Sequence, residues 1–537
     1  MNKAALLLGL ALAAAPAAAA VSTDTVSTSV TVSSSVFMQT GVAIDTRNNV
    51  HLVFVDTATL TLKYAQLANG TTTWALSSVS AAQVGPQCAL ALENGLLPHV
   101  VYYQTSGTPG VMHGRLSGGS WSTDTVEAFT GTNTFVSIAV GADRNPRVAY
   151  YNSVSSATVF GARSAGVWST FTVLTSTFGG PVDIALTSTD SARIALVNGS
   201  TVTSYRELSY ARQTGASTFA ITTPYVIGTD TTTLGGLALA LDSLGRAHLA
   251  VYDTFSDGLD YIEFDTAGST VAAVVVDSGS GTGFFCDIAV DSADDPRIVY
   301  YSTAGLKTAT AAGSWAPNVL DAGAVVGVGA SVVFNRFDHY LAGYLNADLS
   351  EAKFVTDAIR GLSLSGTVLD FSFAPIPGVT LSLAGNIAST GVSISTATGA
   401  YSADHLFEGT YSLTPSLTGY SFQPNARSYS VLQSSQSLQN FKGGPVAVSA
   451  VGNLFDPSAG ESATLNFSVL PGHVFAGVYT LQGRPVKTLL DEDKSAGNYS
   501  VVWDGRTSDG DIVASGIYLV RFETDNLKQI LKMAVVK

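Results

Sequence analysis

The chain has 537 residues, 46% of them hydrophobic and only 12% charged, with a formal net charge of -14 and a pI of about 4.8. The charged share is about half the ~25% of ordinary soluble domains. A mean hydropathy of +0.29 leaves ample apolar surface to bury, which excludes a disordered chain, and an acidic surface with no Lys/Arg cluster repels phosphate backbones, which excludes nucleic acid as a partner.

Residues 1–20 read as a secretory signal peptide. Asn2 and Lys3 give a short polar, basic start, Ala4 to Ala15 is an apolar run, and Ala18 to Ala20 are the small residues a signal peptidase requires. No later stretch reaches the ~20 apolar residues of a bilayer-spanning helix. The mature chain is therefore expected to be secreted or on a bacterial cell surface, without a transmembrane segment.

One fifteen-residue phrase then recurs seven times between Val42 and Asn346: VAIDTRNNVHLVFVD, LALENGLLPHVVYYQ, IAVGADRNPRVAYYN, IALTSTDSARIALVN, LALDSLGRAHLAVYD, IAVDSADDPRIVYYS and VVFNRFDHYLAGYLN. Its fourth residue is Asp45, Glu93, Gly141, Thr187, Asp242, Asp291 and Asn335, so the copies lie 44 to 55 residues apart. Each unit holds four short stretches of period two separated by turn residues. In the sixth these are Cys286 to Val290, Arg297 to Tyr301, Leu306 to Ala311 and Trp315 to Asp321. That period and content predict a seven-bladed β-propeller over 21–357. The second residue of the phrase is Ala43, Ala91, Ala139, Ala185, Ala240 and Ala289, then Val333. Small side chains there let innermost strands converge on the axis.

The seventh unit lacks a fourth strand after Leu349 to Val355. The missing one is found at the other end, because VSTDTV at Val21 to Val26 matches WSTDTV at Trp121 to Val126, the outer strand of the second unit, at five of six places. The leading segment is expected to complete the last blade and remove the open edge of the ring.

Two smaller all-β regions follow. Residues 358–443 contain SGTVLDFSFAPIPGVTLSLAG and STATGAYSADHLFEGTYSLTPSLTGYSFQP, and resemble the carboxypeptidase regulatory-like (prealbumin-like) sandwich. Residues 444–537 contain GNLFDPSAGESATLNFSV and WDGRTSDGDIVASGIYLVRF, and resemble the Ig-like domain of the flagellar hook-capping type. Both resemblances imply small spacer, sorting or tethering sandwiches without catalytic residues, one of which brings the cell envelope in as a partner. The propeller phrase itself resembles bacterial propeller repeats and only distantly those of sialidases, whose Ser-x-Asp-x-Gly-x-Thr-Trp box is missing.

Several side-chain sets invite chemistry. His51, His99, Arg147, Arg193, His248 and Arg297 share one repeat position, with Leu341 in the seventh copy. Each faces an acid across its hairpin: Asp45, Glu93, Asp143, Asp190, Asp242 and Asp291. Hairpin ion pairs are favoured over a metal site, since different blades hold the histidines apart while zinc needs ligands within about 2.0–2.3 Å. The last residue of each phrase makes a ring of hydrogen-bonding groups, Asp56, Gln104, Asn152, Asn198, Asp253, Ser302 and Asn346, flanked by Tyr103, Tyr151, Tyr252 and Tyr301. As a polar, aromatic-lined rim this set suits a sugar or peptide. Asp and Asn at such places also initiate tight turns.

Cys88 and Cys286 occupy equivalent positions three blades apart, too distant for the Cα spacing of about 4.4–6.8 Å that a disulfide needs, and read as buried thiols. Asp183 and Asp287, one residue further on, fall on innermost strands near the channel, where carboxylates can bond free backbone amides or water, or act as an acid and base or cation ligands. The nucleophile elbow, HExxH, the phosphate loop and Cys/His metal spacings do not occur, so neither a catalytic residue nor a cofactor is expected.

The sequence thus describes an exported all-β protein, a seven-bladed propeller followed by two small β-sandwiches, that recognises a glycan or extracellular protein without catalysis. An alternative is an extracellular glycan hydrolase or lyase with active groups in irregular loops, above all the insertion from Ser200 to Leu234 with Arg206, Glu207, Tyr210 and Arg212. A third is a purely structural surface or adhesin component.

Overall fold

The computed structural model of the chain describes residues 21–28, 38–131, 135–176, 179–199, 205–228, 235–311, 314–387, 390–525 and 527–537. The expected signal peptide, and residues 200–204 and 229–234 of the insertion, lie outside these. The chain divides into two compact units, Met1–Ile359 and Arg360–Lys537.

The first unit is a ring of seven antiparallel four-stranded sheets. Innermost strands neighbour one another all the way round, the first blade (Gly41–Ile44) touching both the second (Val84–Glu93) and the seventh (Val326–Phe334). Ser22–Ser27 is the outer strand of the seventh blade, hydrogen-bonded antiparallel to Glu351–Thr356 with Ser22 opposite Thr356 and Thr25 opposite Lys353. A single blade would leave both faces wet, so stacking supplies the core. Accordingly the buried apolar clusters each draw on two neighbouring blades. Tyr210 of the fourth packs with Leu249 and Phe264 of the fifth, and Val299 of the sixth with Tyr340 and Tyr344 of the seventh. Close approach near the axis demands small residues: a Cβ on Gly41 would lie 2.9 Å from that of Leu90 in the next blade.

Turns add a second kind of inter-blade contact. Asp190, Asp294 and Asp338 occupy equivalent turn positions with left-handed φ of 60°, 66° and 61°, a conformation that Asp tolerates. Each carboxylate reaches back to the preceding blade. Asp190 accepts the N–H groups of Ala142 and Asp143, Asp294 the N–H and hydroxyl of Ser243, and Asp338 those of Ser292.

The second unit holds two sandwiches. One pairs two four-stranded sheets, with Leu364, Leu381, Leu383, Tyr411 and Leu413 buried. The other joins a three-stranded to a five-stranded sheet around Leu465, Phe467, Trp503, Val520 and Phe522. Among the described residues no helix is long and apolar enough to cross a membrane.

Candidate ligand-binding site

The seven rim residues lie at the end of the second strand of every blade, Asn198 one residue short of it, at one edge of the ring. All but Gln104 are buried, and most hold their own turns. Asp56 accepts from Ala58 N at 3.1 Å and Thr59 Oγ1 at 2.8 Å. Asn152 accepts from Val154 N, Ser302 from Ala304 N and Asn346 from Leu349 N. Gln104 donates to Thr108 O, and Asn198 accepts from Ser209 Oγ. The neighbouring tyrosines are likewise engaged: Tyr103 donates to Phe129 O, Tyr151 to Ser176 O, Tyr252 to Asp257 and Tyr301 to Ala324 O. The ring shapes the loops at this edge; Asp253 holds its turn in the same way, accepting from Phe255 N, and in addition meets a second acid.

Its difference arises at the blade junctions. In the sixth blade Tyr300 faces Lys307, and both bond the same oxygen of Asp277, which comes from the outer strand of the fifth, each at 2.8 Å. In the seventh, Tyr344 and Lys353 bond Asp321 of the sixth in the same way. In the third, Tyr150 bonds Glu127 of the second at 2.6 Å. At the equivalent place in the fifth blade Val251 faces Asp260. A carboxyl thus stands where the sixth and seventh blades carry lysine. Asp260 is buried, receives hydrogen bonds from Ser256 Oγ at 3.0 Å and Tyr225 Oη at 3.2 Å, and lies against the side chain of Asp253. Burial, and then the charge of Asp253, push the Asp260 pKa up to about 6, above the ordinary carboxylate range.

Beside this pair the surface turns aromatic. Phe255, whose N–H bonds Asp253 at 2.7 Å, is 58% exposed, and Tyr205 of the fourth blade is 41% exposed with ring centroids 6.5 Å apart. Water-exposed aromatic rings next to buried, hydrogen-bonding acids form an amphipathic surface. The sequence carries a signal for Asp260: Gly258-Leu-Asp260 aligns with Gly305-Leu-Lys307 on the third strand, which lies beyond the fifteen-residue phrase.

The other candidate sets fall elsewhere. Asp183 and Asp287 clip neighbouring blades together at the channel, Asp183 joining three and Asp287 two. Asp183 accepts from its own Ile184 N and from Leu239 N of the next blade at 2.7 Å, and Ser137 Oγ donates to it at 2.5 Å. Asp287 accepts from Ile288 N, and from Val332 N at 2.7 Å. Burial raises their pKa values to about 6 and about 7, that of Asp287 further through the charge of Asp183. The hairpin pairs form at His51–Asp45, His99–Glu93, His248–Asp242 and Arg147–Asp143. Two differ from expectation. Asp190 turns to the third blade, leaving Arg193 on Ser191 Oγ, and Arg297 lies over the Tyr340 ring, 4.6 Å from its centroid. His99 also bonds His113, which bonds Asp124, and burial lowers the His99 pKa to about 4. Among the described residues no group of three or more His, Cys, Asp or Glu is placed to hold a metal. Cys88 and Cys286 are buried free thiols, donating to Gln39 O and Ala250 O respectively. Arg206, Glu207, Tyr210 and Arg212 sit on one strand of the fourth blade; Tyr210 is buried in the inter-blade core and Glu207 accepts from Asn198.

No protein-family model matches the chain, and no curated protein is significantly similar to it. Solved propellers are similar to its ring. The BP39L lectin of Burkholderia pseudomallei is 12% identical, aligned over 58% of this chain and 93% of its own, with a TM-score of 0.45. Virginiamycin B lyase of Staphylococcus aureus is 9% identical over 63% and 99%, with a TM-score of 0.42. AofleA of Arthrobotrys oligospora is 13% identical over 57% and 90%, with a TM-score of 0.40. At these identities and scores the likeness says nothing of ligand or reaction.

Proposed function

We propose that the propeller is a non-catalytic glycan-recognition module whose principal contact is the junction of the fourth and fifth blades. The carrying observation is the Asp253–Asp260 pair set beside the exposed rings of Tyr205 and Phe255. A sugar presents hydroxyl donors along its edges and a C–H face above its ring. Carboxyl oxygens accept the former, and an aromatic face covers the latter.

The apolar stretch Ala4 to Ala15 and the small residues after it support export. The two trailing sandwiches, through their resemblance to spacer and sorting modules, support tethering of the ring at the cell envelope. A glycan array probed with the full chain, followed by mass analysis of each retained sugar, tests the reading. Retention of defined glycans recovered intact supports it; release of shortened sugars, or no retention at all, overturns it.

A further inference from the structure

The junction that closes the ring departs from its neighbours. At the junctions of the fifth with the sixth and of the sixth with the seventh blade, a lysine on the third strand and a tyrosine on the second meet a carboxylate from the preceding outer strand. The ladders fix the equivalent positions where the seventh blade meets the first. Lys63 faces Phe54 as Lys307 faces Tyr300. Ser27 faces Ala352 across the same bulge that sets Asp277 opposite Leu259 and Asp321 opposite Leu306. The closing junction therefore keeps the lysine but has Ser27 in place of the acid and Phe54 in place of the phenol.

Lys63 Nζ donates to Ser78 Oγ at 3.1 Å, and among the described residues no carboxylate lies within ion-pair distance of it. Residues 29–37, which follow Ser27 in sequence, include neither Asp nor Glu. In place of the missing carboxylate there is a cleft of about 240 Å³ lined by Ser27, Phe54, Asp56, Lys63, Leu76 and Ser78.

We infer that this cleft binds a carboxylate-bearing sugar, a uronate residue, whose carboxylate takes the place that Asp277 and Asp321 fill at the neighbouring junctions. An ammonium without a counter-ion in a half-buried cleft favours an anion, and the hydroxyls of Ser27 and Ser78 can donate to its second oxygen. Asp56, on the same wall, disfavours a bare small anion but accepts from a sugar hydroxyl, while the exposed Leu76 offers an apolar face to the ring. The choice of a sugar rests on the glycan reading above; the need for a carboxylate does not.

Titration calorimetry of the full chain with sodium galacturonate, galactose and sodium acetate tests this, on the wild type, Lys63→Met and Ser27→Asp. Galacturonate is expected to bind, galactose and acetate at least about tenfold more weakly, and both substitutions are expected to weaken galacturonate by about tenfold or more. Ser27→Asp restores the internal acid, so its melting temperature should not fall, which separates a filled site from a damaged fold. Galacturonate binding unchanged by Ser27→Asp, or none to the wild type, overturns the site; equal affinity for acetate overturns its assignment to a sugar acid. Retention of an array glycan that depends on Phe255 is measured alongside, so failure of one reading leaves the other visible.

Discussion

Asp183 on the innermost strand of the fourth blade accepts the backbone N–H of Leu239, on the innermost strand of the fifth, at 2.7 Å. Asp287 does the same for Val332 two blades further on. Neighbouring innermost strands belong to different sheets, so their facing amides have no ladder partner, and an unpaired buried N–H is costly. The two aspartates supply the acceptor.

That arrangement makes stability depend on pH. Both carboxyls titrate above the ~3.9 of an unfolded chain, at about 6 and about 7. Between those limits the folded state holds protons that the unfolded state has released, so stability falls as pH rises from about 4 through 7. Melting temperature should drop by several degrees from pH 5 to pH 8. Asp287→Asn should lower it at pH 5, through one mismatched amide contact, and flatten the slope. An unchanged slope in the variant would assign the pH dependence to other groups.

The Tyr–acid–Lys contacts should be felt individually. Tyr344 is fully buried and donates to Asp321 at 2.6 Å. Tyr344→Phe should cost about 1–2 kcal/mol in denaturant unfolding, the range of a charge-assisted hydrogen bond. Phe54→Tyr, at the junction that has Ser27 in place of the acid, should gain nothing comparable.

Thiol chemistry offers a check on blade order. Burial pushes Cys88 up to about 12 and Cys286 well above its ordinary value, and reactivity follows the thiolate. Ellman's reagent should find no reactive thiol in the native chain and two after denaturation without reductant. Two masked thiols that need a reductant would place these blades side by side.

Much of this architecture is legible in the sequence because it repeats. The fifteen-residue phrase carries the two strands nearest the axis, and the match of Val21 to Val26 with Trp121 to Val126 foreshadows the strand that joins Glu351–Thr356. The hairpin pairs follow from a fixed offset across a short turn, as in His51–Asp45. What stays hidden depends on contacts between blades. Nothing local says that Asp190 reaches Ala142, or that Arg297 covers Tyr340. The polar rim residues are recognisable as a set, and Asp56 and Asp253 hold their turns alike, yet the sequence does not show that only Asp253 also meets Asp260 on the adjacent strand. Both departures at the junctions, Asp260 and Ser27, lie outside the phrase and emerge only when third and fourth strands are superposed.

In the proposed reading, the junction of the fourth and fifth blades grips a sugar through Phe255 and the Asp253–Asp260 pair. That reading is tested most directly by titrating an array-selected glycan into the wild type, Phe255→Ala and Asp260→Asn. Loss of about 1 kcal/mol or more of binding free energy in each variant, the scale of a stacked ring or a hydrogen bond, with melting temperature unchanged in Phe255→Ala, is the expected result. Wild-type affinity in both variants would contradict it and move the ligand elsewhere on the ring.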